Sequence, residues 1–346
     1  MRRWPYTIPL AFSAIVAVIT IITAQRLGLP IRDPDGFLGP SYVRLPLIVL
    51  AFFAAGIIPE AVYRYGWKPL HINVLHTIRN DWTWFRVLNI AAGLLAFYTC
   101  YVSYRNMKSY LPVIRSDVLY DTDLLRMDHF LMFGHYPGDV LHAVLGTTVS
   151  AQILGFFYVS YLMLIPILLG GFLVLTREYV IGAVFATALG LNWILGTISY
   201  YLVPTLGPAF AQPQSYDDLP TTAASALQIG LFRNRVDFLT DPWESGKIHG
   251  IAGFASLHVS VVVTFVVFFW RLTRRVWVHV ATISFLVITI LATLYFGWHY
   301  IVDDVAGAFI GWFAVVLACW MTGSRQKFSR SDTDQPVQPA HQTPDQ

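Results

Sequence analysis

Eight apolar runs, each close to the length of a bilayer crossing, decide what this chain can fold into. They cover approximately residues 7–27, 43–63, 86–104, 150–175, 179–201, 255–272, 276–297 and 300–322. A helix needs about 20 mostly apolar residues to span the hydrocarbon, where only helices and closed barrels satisfy their own backbone. The chain is 56% hydrophobic and 12% charged, against about 25% charged in soluble domains. The expected fold is therefore all-α, a polytopic membrane helix bundle of about eight transmembrane helices. Residues 86–322 would form a six-helix core that carries the chemistry, and residues 1–85 would add two N-terminal spans. Residues 323–346, rich in Ser, Asp, Gln and Pro, read as a disordered cytoplasmic tail. Met1-Arg2-Arg3 resembles a signal-peptide start, but the run 8–24 is long and lacks a small-x-small cleavage pattern. It reads as an uncleaved first span.

Charge in the loops sets the expected orientation. An even number of spans puts both termini on one side. The loops of that side carry Arg2, Arg3, Arg64, Lys68, Arg79, Arg177, Arg271, Arg274, Arg275, Arg325, Lys327 and Arg330. The positive-inside rule makes it cytoplasmic, so His258 and His299 face outward. Of two long outer loops, 105–150 holds Asp117, Asp121, Asp123, Asp128 and an apolar stretch, 138–149, too short to cross. The other, 203–254, holds Arg233, Arg235, Lys247 and His249 against the trend, either for a local task or as a solvated surface. Trp4, Trp67, Trp82, Trp84, Trp243, Trp298 and Trp320 lie near predicted boundaries and fit an interfacial belt. Trp298, beside His299, is also placed to shape a head-group pocket. His129 and His135 read as interfacial residues or as lining for an acceptor. The net charge of +3 forms no basic stripe with interleaved aromatics, so nucleic acid is not an expected partner. Cys100 and Cys319 lie in apolar runs and imply neither disulfide nor metal.

His258 and His299 stand 41 residues apart, each at the end of an apolar run. That length is one crossing, a tight turn at Arg271–Arg275 and one crossing back, so both return to the same face. Ionisable residues at such positions default to a functional reading. His299 and Asp303, at i and i+4, share a helix face. The carboxylate can fix the tautomer and leave the other ring nitrogen as nucleophile, while His258 protonates a leaving group. This is a toolkit for phosphoryl transfer through a phosphohistidine. It needs no metal and no cofactor if cations hold the phosphate oxygens, and Arg233, Arg235 and Lys247 are nearest in sequence. Asp304 points about 100° away and reads as solvated or supporting. Outside enzymology, the two histidines fit axial haem ligands, or a transporter's proton relay with Asp303.

The string Gly253-Phe254-Ala255-Ser256-Leu257-His258 with His299-Tyr300-Ile301-Val302-Asp303 resembles the last two motifs of the type-2 phosphatidic acid phosphatase superfamily, PSGH and SRxxxxxHxxxD. That resemblance implies His299 as nucleophile, Asp303 as its partner and His258 as general acid. The motif arginine falls at Thr293, and the first motif, KxxxxxxRP, falls on Tyr200 and Gly207-Pro208, so its cations are absent. These departures resemble the branch containing fungal inositol phosphorylceramide synthase, with its Ser-Leu-His and His-Tyr-x-x-Asp strings. Pro204–Phe210 looks like that branch's proline-rich segment, and Asp128–Pro137 like its D-x-x-L-F-G-x-x-P segment. The likeness covers roughly 120–322. It implies a plasma-membrane lipid phosphotransferase taking phosphoinositol from phosphatidylinositol to a lipid or glycolipid hydroxyl. Arg233, Arg235, Lys247, Ser256 and Tyr200 are its expected substrate-binding residues. A lipid or polyprenyl phosphate phosphatase is the alternative.

Overall fold

The computed structural model describes residues 4–34, 41–116, 118–176 and 178–324. Arg2, Arg3, Asp117, Arg177, Arg325, Lys327, Arg330 and the tail beyond Ser324 lie outside them. Among the described residues there is no strand. The helices are α1 (Thr7–Leu27), α2 (Ser41–Tyr65), α3 (Leu70–Asp81), α4 (Trp84–Ile114), α5 (Asp121–Leu131), α6 (Pro137–Leu145), α7 (Val149–Gly170), α8 (Tyr179–Leu202), α9 (Pro208–Ala211), α10 (Ala223–Thr240), α11 (Leu257–Leu272), α12 (Val276–Tyr295) and α13 (Ile301–Met321). Seven segments are long and apolar enough to cross a membrane: α1, Leu47–Tyr65 of α2, α4, α7 with its π-helical continuation to Leu175, α8, α12 and α13. The chain is an integral membrane protein with an all-helical bundle.

The eighth expected span is the shorter α11, of 16 residues. Its start is set by Ser256, whose hydroxyl accepts from the Val259 amide at 3.4 Å and caps the helix. The residues before it are drawn off the helix axis. Gly253 N–H donates to the Thr205 carbonyl at 2.9 Å, and Ser256 N–H to the Asp303 carbonyl at 3.0 Å.

Besides the single-turn α9, three helices stand where loop is expected. The amphipathic α3 joins α2 to α4, and Arg64 ties Glu60 to Asp81 at 2.6 and 3.0 Å. The others are α5 and α10, described with the site. Helix α4 runs ten residues past its expected end at 104. Hydropathy stops at Arg105, but the helix does not, because Asn106, Lys108, Ser109 and Tyr110 are buried against protein rather than lipid. Its 31 residues rise about 46 Å, more than the hydrocarbon thickness, so its second half emerges on the side of α5 and α6. Helix α6, nine residues long, does not cross. Trp82 and Trp298 are not belt residues. Trp82 packs on Phe53 at 4.4 Å beneath the Arg86 guanidinium at 4.0 Å, and Trp298 stacks on Tyr158 at 5.3 Å.

The centre of the bundle is α8, whose residues 182–193 are all buried. Asn192 fixes its neighbour in depth: its amide donates to Thr264 Oγ1 at 2.9 Å and its carbonyl accepts from the Ser260 hydroxyl, both on α11. Helices α11 and α13 then cross with backbones in contact. A Cβ on Gly307 would overlap the Ser256 carbonyl oxygen, and one on Gly311 the Ser260 carbonyl oxygen. Glycine four apart facing serine four apart is the small-residue solution for close packing in lipid, where no hydrophobic drive brings helices together. Thr264 Oγ1 donates to the Gly311 carbonyl at 3.1 Å and pins the register.

Gly307→Val should therefore force the crossing apart. Overpacking of this kind costs on the order of 1–3 kcal/mol or more. The expected result is a clear drop in thermal unfolding temperature in detergent with loss of activity, while Val305→Leu, on the exposed face of the same helix, leaves both unchanged.

Candidate active site

The hairpin of α11 and α12 brings the two histidines together, with ring centroids 6.0 Å apart and tilted 57°. Both rings can reach the atoms of one phosphate group. His258 sits in the first turn of α11, stacked on Tyr158 at 4.3 Å and against Tyr161 at 4.5 Å. Its Nε2 is sealed from solvent and has no hydrogen-bond partner among the described residues. His299 lies in the turn before α13, 5% exposed. Its Nδ1 is 3.4 Å from Asp303 Oδ2. The contact is long because that oxygen also accepts the Tyr300 amide at 3.0 Å, capping α13. Catalytic hydrogen bonds are often long without substrate. With the proton on Nδ1, Nε2 presents its lone pair. Burial pushes His299 down to about 4, opposed by Asp304 and the Gly253 backbone and reinforced by Lys108.

Asp304 is not solvated. It is 5% exposed and accepts from Thr293 Oγ1 at 2.8 Å. Thr293 is where the resemblance places an arginine, so a neutral hydroxyl here binds a carboxylate instead. Ser256 is fully buried.

Two buried aspartates of α5 hold the frame. Seven residues apart, Asp121 and Asp128 fall on one helix face. Asp121 Oδ1 accepts the Gly207 amide at 2.9 Å, the Leu206 amide at 3.0 Å and the Tyr300 hydroxyl at 2.8 Å. Asp128 accepts the Ile301 amide at 3.1 Å, at the N-terminus of α13. Burial pushes Asp128 up to about 7 and Asp303 adds to it, while the Ile301 amide opposes. Gly207, at φ +104°, lets the Pro204–Phe210 segment pass against the Trp298 carbonyl, which a side chain would strike. Ala209 N–H donates to Gly297 O at 2.8 Å. The four strings singled out in the sequence thus meet at one place.

A narrow cleft open to solvent lies over His299, lined by Leu125, Asp128, Tyr136, Pro137, Pro208, Gln212, Ser215, Tyr216 and Leu294. Cations lie on another side. Arg235, on the half-buried face of α10, donates from Nη1 to His249 Nε2 at 3.0 Å. The Ile251 amide donates to Nδ1 of the same ring at 3.4 Å, so both ring nitrogens face donors. His249 is fully buried, not a loop-surface residue. Burial first, then Arg235, Lys108 and Arg105, hold it well below the ordinary histidine value. Helix α10 starts at a capping box of Thr222 and Ser225, with hydrogen bonds of 3.2 and 2.7 Å.

Of the residues expected to bind substrate, Ser256 and Tyr200 are buried in the frame, and Arg235 borders it. Arg233 is turned away, since two helical residues rotate by about 200°, and it is exposed. Lys247 is exposed too, where its carbonyl accepts from Arg32 at 2.8 Å. His129 and His135 are exposed, His129 against Tyr136 at 5.3 Å. Sequence reasoning missed Lys108, 7% exposed on α4, with Nζ 4.8 Å above the Tyr200 ring. The available signal was a cation pair, Arg105 and Lys108, one turn apart at the end of an apolar run.

Residues 122–317, more than half of the chain, match the model of the PAP2 superfamily. The chain belongs to the PAP2 superfamily. No curated protein and no solved structure matches it. PAP2 superfamily members are phosphatases and phosphotransferases, and this chain is a membrane enzyme of that superfamily acting on phosphorylated lipids. The matched segment contains both histidines, Asp303, α10 and all of α5 but Asp121, and leaves out α1–α4.

Because burial holds His299 at about 4, its imidazole should stay neutral until the pH falls well below the ordinary histidine value of about 6.5. Nitrogen-15 NMR of histidine-labelled protein, with the signal assigned by His299→Asn, should show a neutral ring at about pH 6. A midpoint near about 6.5 would contradict the burial argument.

Proposed function

We propose that the chain is a lipid phosphotransferase. It moves a phosphorylated head group from a phospholipid to a hydroxyl of a lipid or glycolipid, like the branch containing fungal inositol phosphorylceramide synthase. Phosphatidylinositol is the donor that likeness favours. The observation that carries the reading is the lining of the cleft over His299. Asp128, Gln212, Ser215 and Tyr216 offer hydrogen bonds there, and neither lysine nor arginine is among its lining residues. Such a lining suits an uncharged polyhydroxylated group, and a water nucleophile needs no such pocket.

In this mechanism His299 Nε2 attacks phosphorus, and the bond from phosphorus to the diacylglycerol oxygen breaks. Protonated His258 gives its proton to that oxygen. The acceptor hydroxyl then loses its proton to His258 as its oxygen attacks phosphorus, and the nitrogen–phosphorus bond breaks. Asp303 holds the Nδ1 proton of His299 and stabilises the charge that ring gains. Arg235 contributes positive potential from α10. Ser256 acts as a positioning residue, through its cap on α11 and its amide's bond to the Asp303 carbonyl. Arg233 and Lys247 have no part in it.

The site faces the extracytoplasmic side of the plasma membrane in this proposal. Arg271, Arg274 and Arg275 support that, since they lie at the opposite end of the α11–α12 hairpin from the histidines. Hydrolysis of a lipid or polyprenyl phosphate is the second reading. The cations outside the cleft favour it, because a terminal phosphate carries more charge than a diester.

Purified protein given head-group-labelled phosphatidylinositol and a mixed-lipid acceptor extract should move label into a new lipid or glycan. His299→Ala should reduce this by roughly 10³-fold or more. Label released only as water-soluble phosphate, or free phosphate from a monoester, would favour the hydrolase.

A further inference from the structure

Lys108 is the one feature near the site that the scheme above leaves without a task. It is 7% exposed and points its ammonium between aromatic rings, 3.5 Å from the Tyr104 hydroxyl and 4.8 Å above Tyr200. Among the described residues no carboxylate forms an ion pair with it. One turn earlier on the same helix, Arg105 has a buried Nε with no hydrogen-bond partner. A desolvated ammonium without an anion is expensive, and near a membrane core such groups mark substrate or ion sites. Aromatic faces return only part of that cost.

The surroundings say where the anion would stand. Hydrogen bonds tie both sides of the lysine to the segment that leads into His258: the His249 amide donates to Ser109 Oγ, next to Lys108, at 3.0 Å, and the Ala255 amide donates to Ser199 Oγ, next to Tyr200, at 2.9 Å. Tyr161 holds the start of α11: its ring lies 4.5 Å from His258, and its hydroxyl donates to the Leu257 carbonyl at 3.2 Å. The position under Lys108 is Tyr200, where the resembling motif carries a lysine. The other motif cations fall on Gly207 and Thr293. Lys108 also lies before residue 122, outside the segment that matches the superfamily.

We propose that α4 supplies, from outside the superfamily segment, the cation that holds a phosphate oxygen of the substrate: Lys108, with Arg105 beside it. The ammonium enters over Tyr200 and takes the place of the side chain lost there. The ligand class is a phosphate group, whether on a lipid or free. The proposal rests on the phosphohistidine reading only for what happens to that phosphate afterwards.

The test uses the full-length protein in lipid nanodiscs and four forms: wild type, Lys108→Met, Tyr200→Lys and the double variant. Binding of labelled inorganic phosphate and turnover of labelled phosphatidylinositol are read separately, with thermal unfolding as a control. Methionine fills the same volume without charge, so Lys108→Met should fold and unfold at no lower temperature. It should weaken inorganic phosphate binding at least about tenfold and reduce turnover by on the order of 10²-fold. The double variant should recover a large part of both, which a merely structural lysine would not allow. Wild-type phosphate binding and turnover in Lys108→Met would overturn the proposal and leave the transferase reading intact. Lys108-dependent phosphate binding without His299-dependent turnover of any phospholipid would uphold this proposal and sink that reading.

Discussion

The crossing of α11 over α13 is the constraint on which the site depends. Each helix holds one half of the histidine pair at its N-terminal end, His258 in the first turn of α11 and His299 just before α13, which carries Asp303. Their separation is set by how closely the two backbones approach, and Gly307 and Gly311 allow contact with the Ser256 and Ser260 carbonyls. The same residues then join the ends, since Ser256 N–H bonds to the Asp303 carbonyl at 3.0 Å. In lipid such contacts stand in for the hydrophobic effect, which cannot distinguish helix from acyl chain. A register error of one residue would rotate His258 by about 100° and take it off the site.

Around that crossing the site is asymmetric in charge. Carboxylates gather on the side of α5 and α13, where Asp121 and Asp128 accept backbone amides that would otherwise be orphaned at a helix N-terminus and in a tight turn. Cations gather on the side of α4 and α10, with Lys108, Arg105, Arg235 and the neutral His249. The two histidines lie between, with His299 held neutral by burial. A phosphate drawn to the cationic side would leave its uncharged substituent on the side of the polar cleft. This division follows from the placement of a few buried groups and requires no change of backbone.

Much of the architecture was legible because membrane crossing is written in hydropathy. The spans at 7–27, 179–201, 276–297 and 300–322 fall within two residues of helices in the structure. The histidine pair was legible from helix length alone. What hydropathy does not encode was missed for identifiable reasons. Helix α4 was cut at Arg105, because a charge ends an apolar run but not a hydrogen-bond ladder. Helices α5 and α10 escape hydropathy, because each is short of a spanning run: α5 buries Asp121 and Asp128 beside Leu124, and α10 buries only Ala224 and Phe238 between polar residues. Arg233 and Lys247 were chosen by proximity in sequence, and only the helical phase of α10 separates Arg233 from Arg235. The two weak strings, 128–137 and 204–210, gain meaning from backbone hydrogen bonds to the histidine segments, which no side-chain pattern announces.

The central claim is a covalent intermediate on His299 that carries the whole head group. The direct measurement is rapid quenching at alkaline pH of the wild-type protein mixed with phosphatidylinositol in the absence of acceptor lipid, followed by mass spectrometry of the peptide containing His299. Without an acceptor hydroxyl to attack phosphorus, the intermediate should accumulate, and the peptide should gain the mass of a phosphoinositol group in an acid-labile linkage. A peptide that gains only phosphate would mean that both ester bonds of the donor are broken and no head group is carried, which would also contradict the account. An unmodified His299 peptide, while phosphatidylinositol is still consumed by the wild type, would contradict the account.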